Sequence, residues 1–182
     1  MTERRQWAVI AVAAGLGLAA GAYLGLSRAP GSPAPTQSAI DALYATTLPD
    51  LETRPQRLGQ WKDRVLVVNF WATWCTPCRE EIPGLIRVQS RSSSKNVQIV
   101  GIALDTEDNA SEFAKSVGIN YPVVIGGLDA ISLTQSLGNK SGALPYTVFI
   151  SPGGKQARSH LGLVSEAHVD RLITEMTEVA RP

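Results

Sequence analysis

Cys75 and Cys78 are the only two cysteines in a chain of 182 residues, set three apart in Trp74-Cys75-Thr76-Pro77-Cys78. A pair this close closes a small local ring, which suits a dithiol/disulfide couple and not a structural framework. Structural zinc needs about four ligands, and the histidines, His160 and His168, lie far downstream with no second cysteine pair. No metal site is expected.

The elements around the pair sharpen the chemistry. Val65 to Trp71 is a continuous apolar run rich in β-branched residues, the pattern of a central strand buried on both faces. A helix is predicted from Thr76 to about Ser90, with Pro77 suited to its first turn. Cys75 then falls at a strand-to-helix junction, where free N–H groups and the helix dipole favour a thiolate. It is the predicted nucleophile, with Cys78 one turn on to resolve a mixed disulfide. Helical spacing puts Cys78, Glu81, Leu85 and Val88 on one face and Glu80, Gly84 and Arg87 on another. Glu81 is therefore either a buried acid/base partner for the Cys78 proton or an ordinary first-turn glutamate facing the dipole.

Further strands are predicted at Val97 to Leu104, Tyr121 to Ile125 and Pro145 to Ile150, with a short helix from Asn109 to Val117. Ser151-Pro-Gly-Gly154 reads as a turn, Lys155 to Leu161 as an antiparallel edge strand, and Ser165 to Ala180 as a closing helix capped by Ser165. The order implies an α/β sheet with helices on both faces, in which sites lie off the carboxyl ends of strands.

The N-terminus carries a different signal. Trp7 to Ser27 are 21 residues without a charge, preceded by Arg4 and Arg5. About 20 such residues span a bilayer core; the arginines predict a cytoplasmic N-terminus with the remainder outside. A cleaved signal peptide is the alternative, although the run is long for one and ends in a poor cleavage site. Residues 28–38, with three prolines, read as an extended tether, and 39–182 as the folded domain. The formal net charge of +1 and the absence of aromatic–basic clusters set nucleic acid aside.

The run Val67-Val-Asn-Phe-Trp-Ala-Thr-Trp-Cys-Thr-Pro-Cys-Arg-Glu-Glu-Ile-Pro83 resembles the active-site segment of the TlpA/ResA-type membrane-anchored thioredoxin-like thiol-disulfide oxidoreductases. The resemblance extends from about Leu48 to the C-terminus, with a helix-plus-strand insertion near residues 109–125 and Leu144-Pro145 before a strand. It implies a thioredoxin fold, a central mixed sheet flanked by helices, behind an N-terminal transmembrane helix. It further implies Cys75 as nucleophile, Cys78 as resolving thiol, Glu81 as active-site glutamate and Pro145 as a cis-proline facing the pair. Trp74, the aromatic beside the nucleophile, and Leu144 become expected substrate contacts. Asn69 stands where cytoplasmic thioredoxins carry a buried aspartate, so Glu81 would take over its proton role.

These readings converge on an inner-membrane, single-pass protein whose periplasmic or extracytoplasmic domain reduces protein disulfides and is itself re-reduced by a membrane partner. No cofactor is expected. Clients implied by the family are apocytochrome c, copper-site cysteines or protein disulfides generally. The alternative is a metallochaperone passing Cu(I) between thiolates, although the only methionines are Met1 and Met176. A peroxidatic loop is not recognisable around Cys75.

Overall fold

The structure, a computed structural model, describes residues 33–92 and 95–179. The expected anchor and all of the expected tether up to residue 32 lie outside these residues. Among the described residues, no helix is long and apolar enough to cross a membrane. Helix α1 (Gln37–Ala45), capped by the Thr36 hydroxyl on the Ala39 N–H, takes up two residues expected in the tether.

A five-stranded mixed sheet forms the centre, in the order β5-β4-β3-β6-β7. Strands β3 (Val65–Trp71), β4 (Val97–Ala103) and β5 (Val123–Ile125) run parallel. Strands β6 (Tyr146–Ile150) and β7 (Ala157–Leu161) continue the sheet antiparallel from the other side of β3. Helices α2 (Thr76–Ser92), α3 (Glu107–Val117), α4 (Ala130–Ser136) and α5 (Glu166–Glu178) complete the domain. Apart from it, β1 (Thr47–Pro49) and β2 (Pro55–Arg57) form a small antiparallel hairpin. Asp50 organises its turn: burial would raise the carboxyl pKa, but the N–H groups of Glu52 and Arg54 and the side chains of Gln56 and Arg54 hold it down at about 2.

The sheet's period-2 alternation sorts the core into two layers. Val65, Val67 and Trp71 of β3, Ile99 of β4 and Phe149 of β6 point to one side. There they meet Ile82, Leu85 and Val88 of α2 and Val169, Leu172 and Met176 of α5. Leu66, Val68, Phe70, Val100, Ile102 and Val148 point to the other side, against Ile40 and Leu43 of α1 and Leu58. The helix registers follow the expected faces: Cys78, Glu81, Leu85 and Val88 are buried, whereas Glu80 and Arg87 are exposed. Ser165 caps α5 by accepting the His168 N–H.

Three expected strands begin late, β6 by one residue at Tyr146 and two others by two residues. β5 starts at Val123, because Pro122 can accept from the Gly101 N–H but has none of its own to give. β7 starts at Ala157, since Gly154 adopts φ 74° and Lys155 is helical.

Candidate active site

The central strand delivers the chain to the upper edge of the sheet at Trp71, and residues 72–75 turn it into α2. Asp105, just past the end of the neighbouring β4, fixes this turn by accepting both the N–H and the hydroxyl of Thr73. Its other oxygen takes the Thr106 N–H and the Asn109 amide. Burial works to raise the Asp105 pKa, and these hydrogen bonds outweigh it, leaving the carboxyl below its ordinary range.

Cys75 occupies the capping position of α2. Its carbonyl accepts the Arg79 N–H at 3.2 Å, and its Sγ accepts the Cys78 N–H at 3.3 Å. Cys75 and Cys78 are joined in a disulfide with their Cα atoms 5.3 Å apart. Cys75 retains 6% of its surface, while Cys78 has none. The less buried cysteine is thus the one whose sulfur a backbone N–H already supports, where a thiolate would gain most from the helix end. Trp74 beside it is 65% exposed.

On the Cys78 face of α2 lies a buried carboxyl. Glu81, 3% exposed, accepts from the Asn69 amide at 2.7 Å through Oε1 and from the Val164 N–H at 2.9 Å through Oε2. The same Asn69 amide nitrogen reaches Thr147 Oγ1 at 3.0 Å. Burial drives the Glu81 pKa up to about 7, against the pull of the Val164 and Asn69 hydrogen bonds. A carboxyl with that value can take or return a proton near neutrality. Buried and past the first turn of α2, Glu81 is not the ordinary first-turn glutamate facing the dipole that spacing alone also allowed.

The Leu144–Pro145 bond is cis and Pro145 is buried. Leu144, partly buried, packs against the cluster that contains Cys75 and Cys78. The connection after β7 joins these parts: the Gly162 N–H donates to the Pro145 carbonyl at 2.9 Å, and two residues later Val164 holds Glu81. The residues expected at the site are therefore brought together, Asn69 with them. Asp105, Thr147 and the Val164 N–H complete the set. Val164 acts only through its backbone, which leaves no side-chain signature, whereas Asp105 sits where a strand end could have marked it. Among the described residues, no group of three or more His, Cys, Asp or Glu side chains is arranged to hold a metal ion.

A parallel-centred sheet with a Cys-x-x-Cys disulfide at the mouth of its first long helix defines a thioredoxin-like redox domain. Residues 39–157 match the AhpC/TSA family, and the chain belongs to it. Over 127 residues it is 30% identical to the thiol-disulfide oxidoreductase ResA of Bacillus subtilis (strain 168), covering 67% of this chain and 66% of that one. A thiol:disulfide interchange protein of Chlorobium tepidum TLS superposes with a TM-score of 0.65 at 28% identity, covering 82% and 99% of the two chains. A thioredoxin-related protein from Neisseria meningitidis serogroup B gives a TM-score of 0.65 at 34% identity, covering 71% and 97%. With this site and these relatives, the protein is a thiol-disulfide oxidoreductase.

Proposed function

We propose that the protein reduces disulfides of other proteins on the extracytoplasmic side of a membrane, cycling Cys75 and Cys78 between dithiol and disulfide. The carrying observation is the asymmetry of the pair: Cys75 keeps the only residual exposure, 6%, and its Sγ accepts a helix N–H, while Cys78 is fully buried on the Glu81 face. In the reduced protein, the Cys75 thiolate attacks a client disulfide sulfur, expelling the client's other sulfur as thiolate. Cys78 gives up its proton and attacks Cys75 Sγ, releasing the second client thiolate and closing the Cys75–Cys78 bond. Two electrons pass to the client, and the Cys78 proton goes to Glu81. Trp74 and Leu144 form the rim that the client meets, and Pro145 supplies the cis-proline of the site. The apolar segment Trp7–Ser27 behind Arg4 and Arg5 supports membrane attachment and an outward-facing domain, with a membrane partner restoring the dithiol.

The variant Cys78→Ser tests this reading. It should accumulate mixed disulfides through Cys75, and the wild-type protein should reduce insulin. Absence of both outcomes sinks the proposal. Copper retention that is lost in Cys75→Ser, without any disulfide exchange, would favour the metallochaperone. Related folds span roughly −270 to −120 mV, so the potential of the pair decides direction, and a value at the oxidising end would keep the chemistry while reversing the electron flow.

A further inference from the structure

One peptide group ties a half-buried histidine to the buried carboxyl. The Val164 N–H donates to Glu81 Oε2 at 2.9 Å, and the carbonyl of the same peptide, on Leu163, lies 3.2 Å from His160 Nε2. That peptide is trans, so its N–H and C=O point in opposite directions. A carbonyl can only accept, which puts a ring proton of His160 on Nε2. His160 is half-buried on β7, whereas Glu81 on α2 is 3% exposed. Strand register brings both to the same side of the sheet. Asn69 on β3 pairs with Thr147 on β6, and Thr147 pairs with His160 on β7, so the three share one face. Each carboxylate oxygen is therefore held from that row: Oε1 by Asn69 directly, Oε2 by way of the peptide that His160 grips.

We propose that His160 is a positioning residue for the Glu81 carboxyl, acting on it through the Leu163–Val164 peptide. Hydrogen bonds in a chain polarise one another. A donor on the Leu163 oxygen makes the Val164 N–H a stronger donor in turn, and it fixes the peptide plane that aims this N–H at Oε2. The carboxylate gains more from both effects than the neutral acid does. The charged groups nearby are engaged elsewhere. On α5, the His168 ring lies 4.9 Å from the His160 ring, and its Nδ1 accepts from Arg171, which can only donate, so His168 is neutral. Burial first, and then the charges of His160 and Arg171, hold its pKa below the ordinary histidine value. Arg158, two residues before His160 on β7, pairs with Glu175 of α5 at 3.0 Å. Glu166 and Asp170 of α5 pair with Arg87 and Arg91 of α2. Around Glu81 itself, Asn69 and Thr147 do not titrate, and Cys78 is locked in the disulfide. The Tyr121 phenol is held above the ordinary tyrosine range by burial first and then by the Glu81 charge.

The proposal rests on Glu81 as the proton carrier, yet its test needs no turnover. In the oxidised full-length protein, the Glu81 carboxyl is titrated by ¹³C NMR and the Val164 amide proton is followed alongside it, for wild type, His160→Ala and His160→Gln. His160→Ala leaves the Leu163 carbonyl without its donor. The Glu81 midpoint should then rise by about half a pH unit, and the Val164 amide proton should move upfield. The glutamine side chain donates through an amide nitrogen and carries no titrating ring, so His160→Gln should bring both readings back toward wild type. An unmoved midpoint in His160→Ala, with or without a loss of stability, marks His160 as structural only and overturns the proposal. Equal shifts in the two variants assign the effect to the charge or bulk of the ring and overturn it as well. Failure of the proton-carrier reading shows elsewhere, as a Glu81→Gln protein whose exchange rate keeps the wild-type pH profile.

Discussion

The backbone N–H of Val164 donates to Glu81 Oε2 at 2.9 Å, fastening the connection after the last strand to the helix that bears the disulfide. Glu81 lies three residues beyond Cys78, so a proton leaving or reaching that carboxyl alters the surroundings of the resolving sulfur. Because the group is buried, its ionisation also weighs on folding.

The first prediction concerns that weight. Unfolded, Glu81 releases its proton near 4.5; folded, it holds it to about 7. Between those values the native state binds more protons, so stability falls as pH rises and the cost is complete above the folded value. The shift corresponds to on the order of 3 kcal/mol. Glu81→Gln, whose amide the Asn69 amide can turn over to meet, should flatten this part of the pH–stability curve in chemical denaturation.

Asn69→Asp would place a second carboxyl within hydrogen-bond distance of the first. Two carboxylates in one buried site cannot both ionise without a large cost. The pair should titrate with one apparent pKa well above 7, and the variant should lose stability steeply in alkaline buffer, as followed by NMR and urea melts.

Asp105→Ala removes both anchors of Thr73. The expected cost is about 1–3 kcal/mol, with slower disulfide exchange as the turn ahead of Cys75 loosens. The Asp105 carboxyl sits below its ordinary range, so its contribution is present above the unfolded value and lost as pH falls through the folded one. Wild type and variant should therefore converge in stability in acid.

Trp74→Ala separates client contact from folding. The side chain is 65% exposed, and its loss should change stability by no more than ~0.5 kcal/mol. Reduction of a protein disulfide should slow several-fold while exchange with a small disulfide stays unchanged. Equal effects on both substrates would remove Trp74 from the client surface.

Much of this arrangement can be read from residue order, and the exceptions have physical causes. β3 announces itself because every one of its seven residues is buried, which demands a run that is apolar but for Asn69. The register of α2 follows from helical geometry, which puts Glu81 on the Cys78 face but leaves a buried acid/base and a dipole-facing glutamate both open; its burial decides between them. The β1–β2 hairpin escaped because its strands have three residues each and alternate exposed and half-buried positions. Its stability comes from one carboxylate gathering four donors, not from periodic burial. The Gly162 and Val164 contacts are backbone donors whose partners lie on distant elements, and no residue type encodes them.

The division of the core by the central sheet reaches beyond packing. Cys75, Cys78, Trp71 and Tyr121 belong to one layer, while α1, Leu58 and the opposite faces of β3 and β6 build the other. Substitutions in the second layer can raise or lower the melting temperature without touching a sulfur or the Glu81 carboxyl. Robustness and redox character are thus independently tunable, and a lineage drifting through the second layer could adapt to heat or cold while keeping the same electron chemistry.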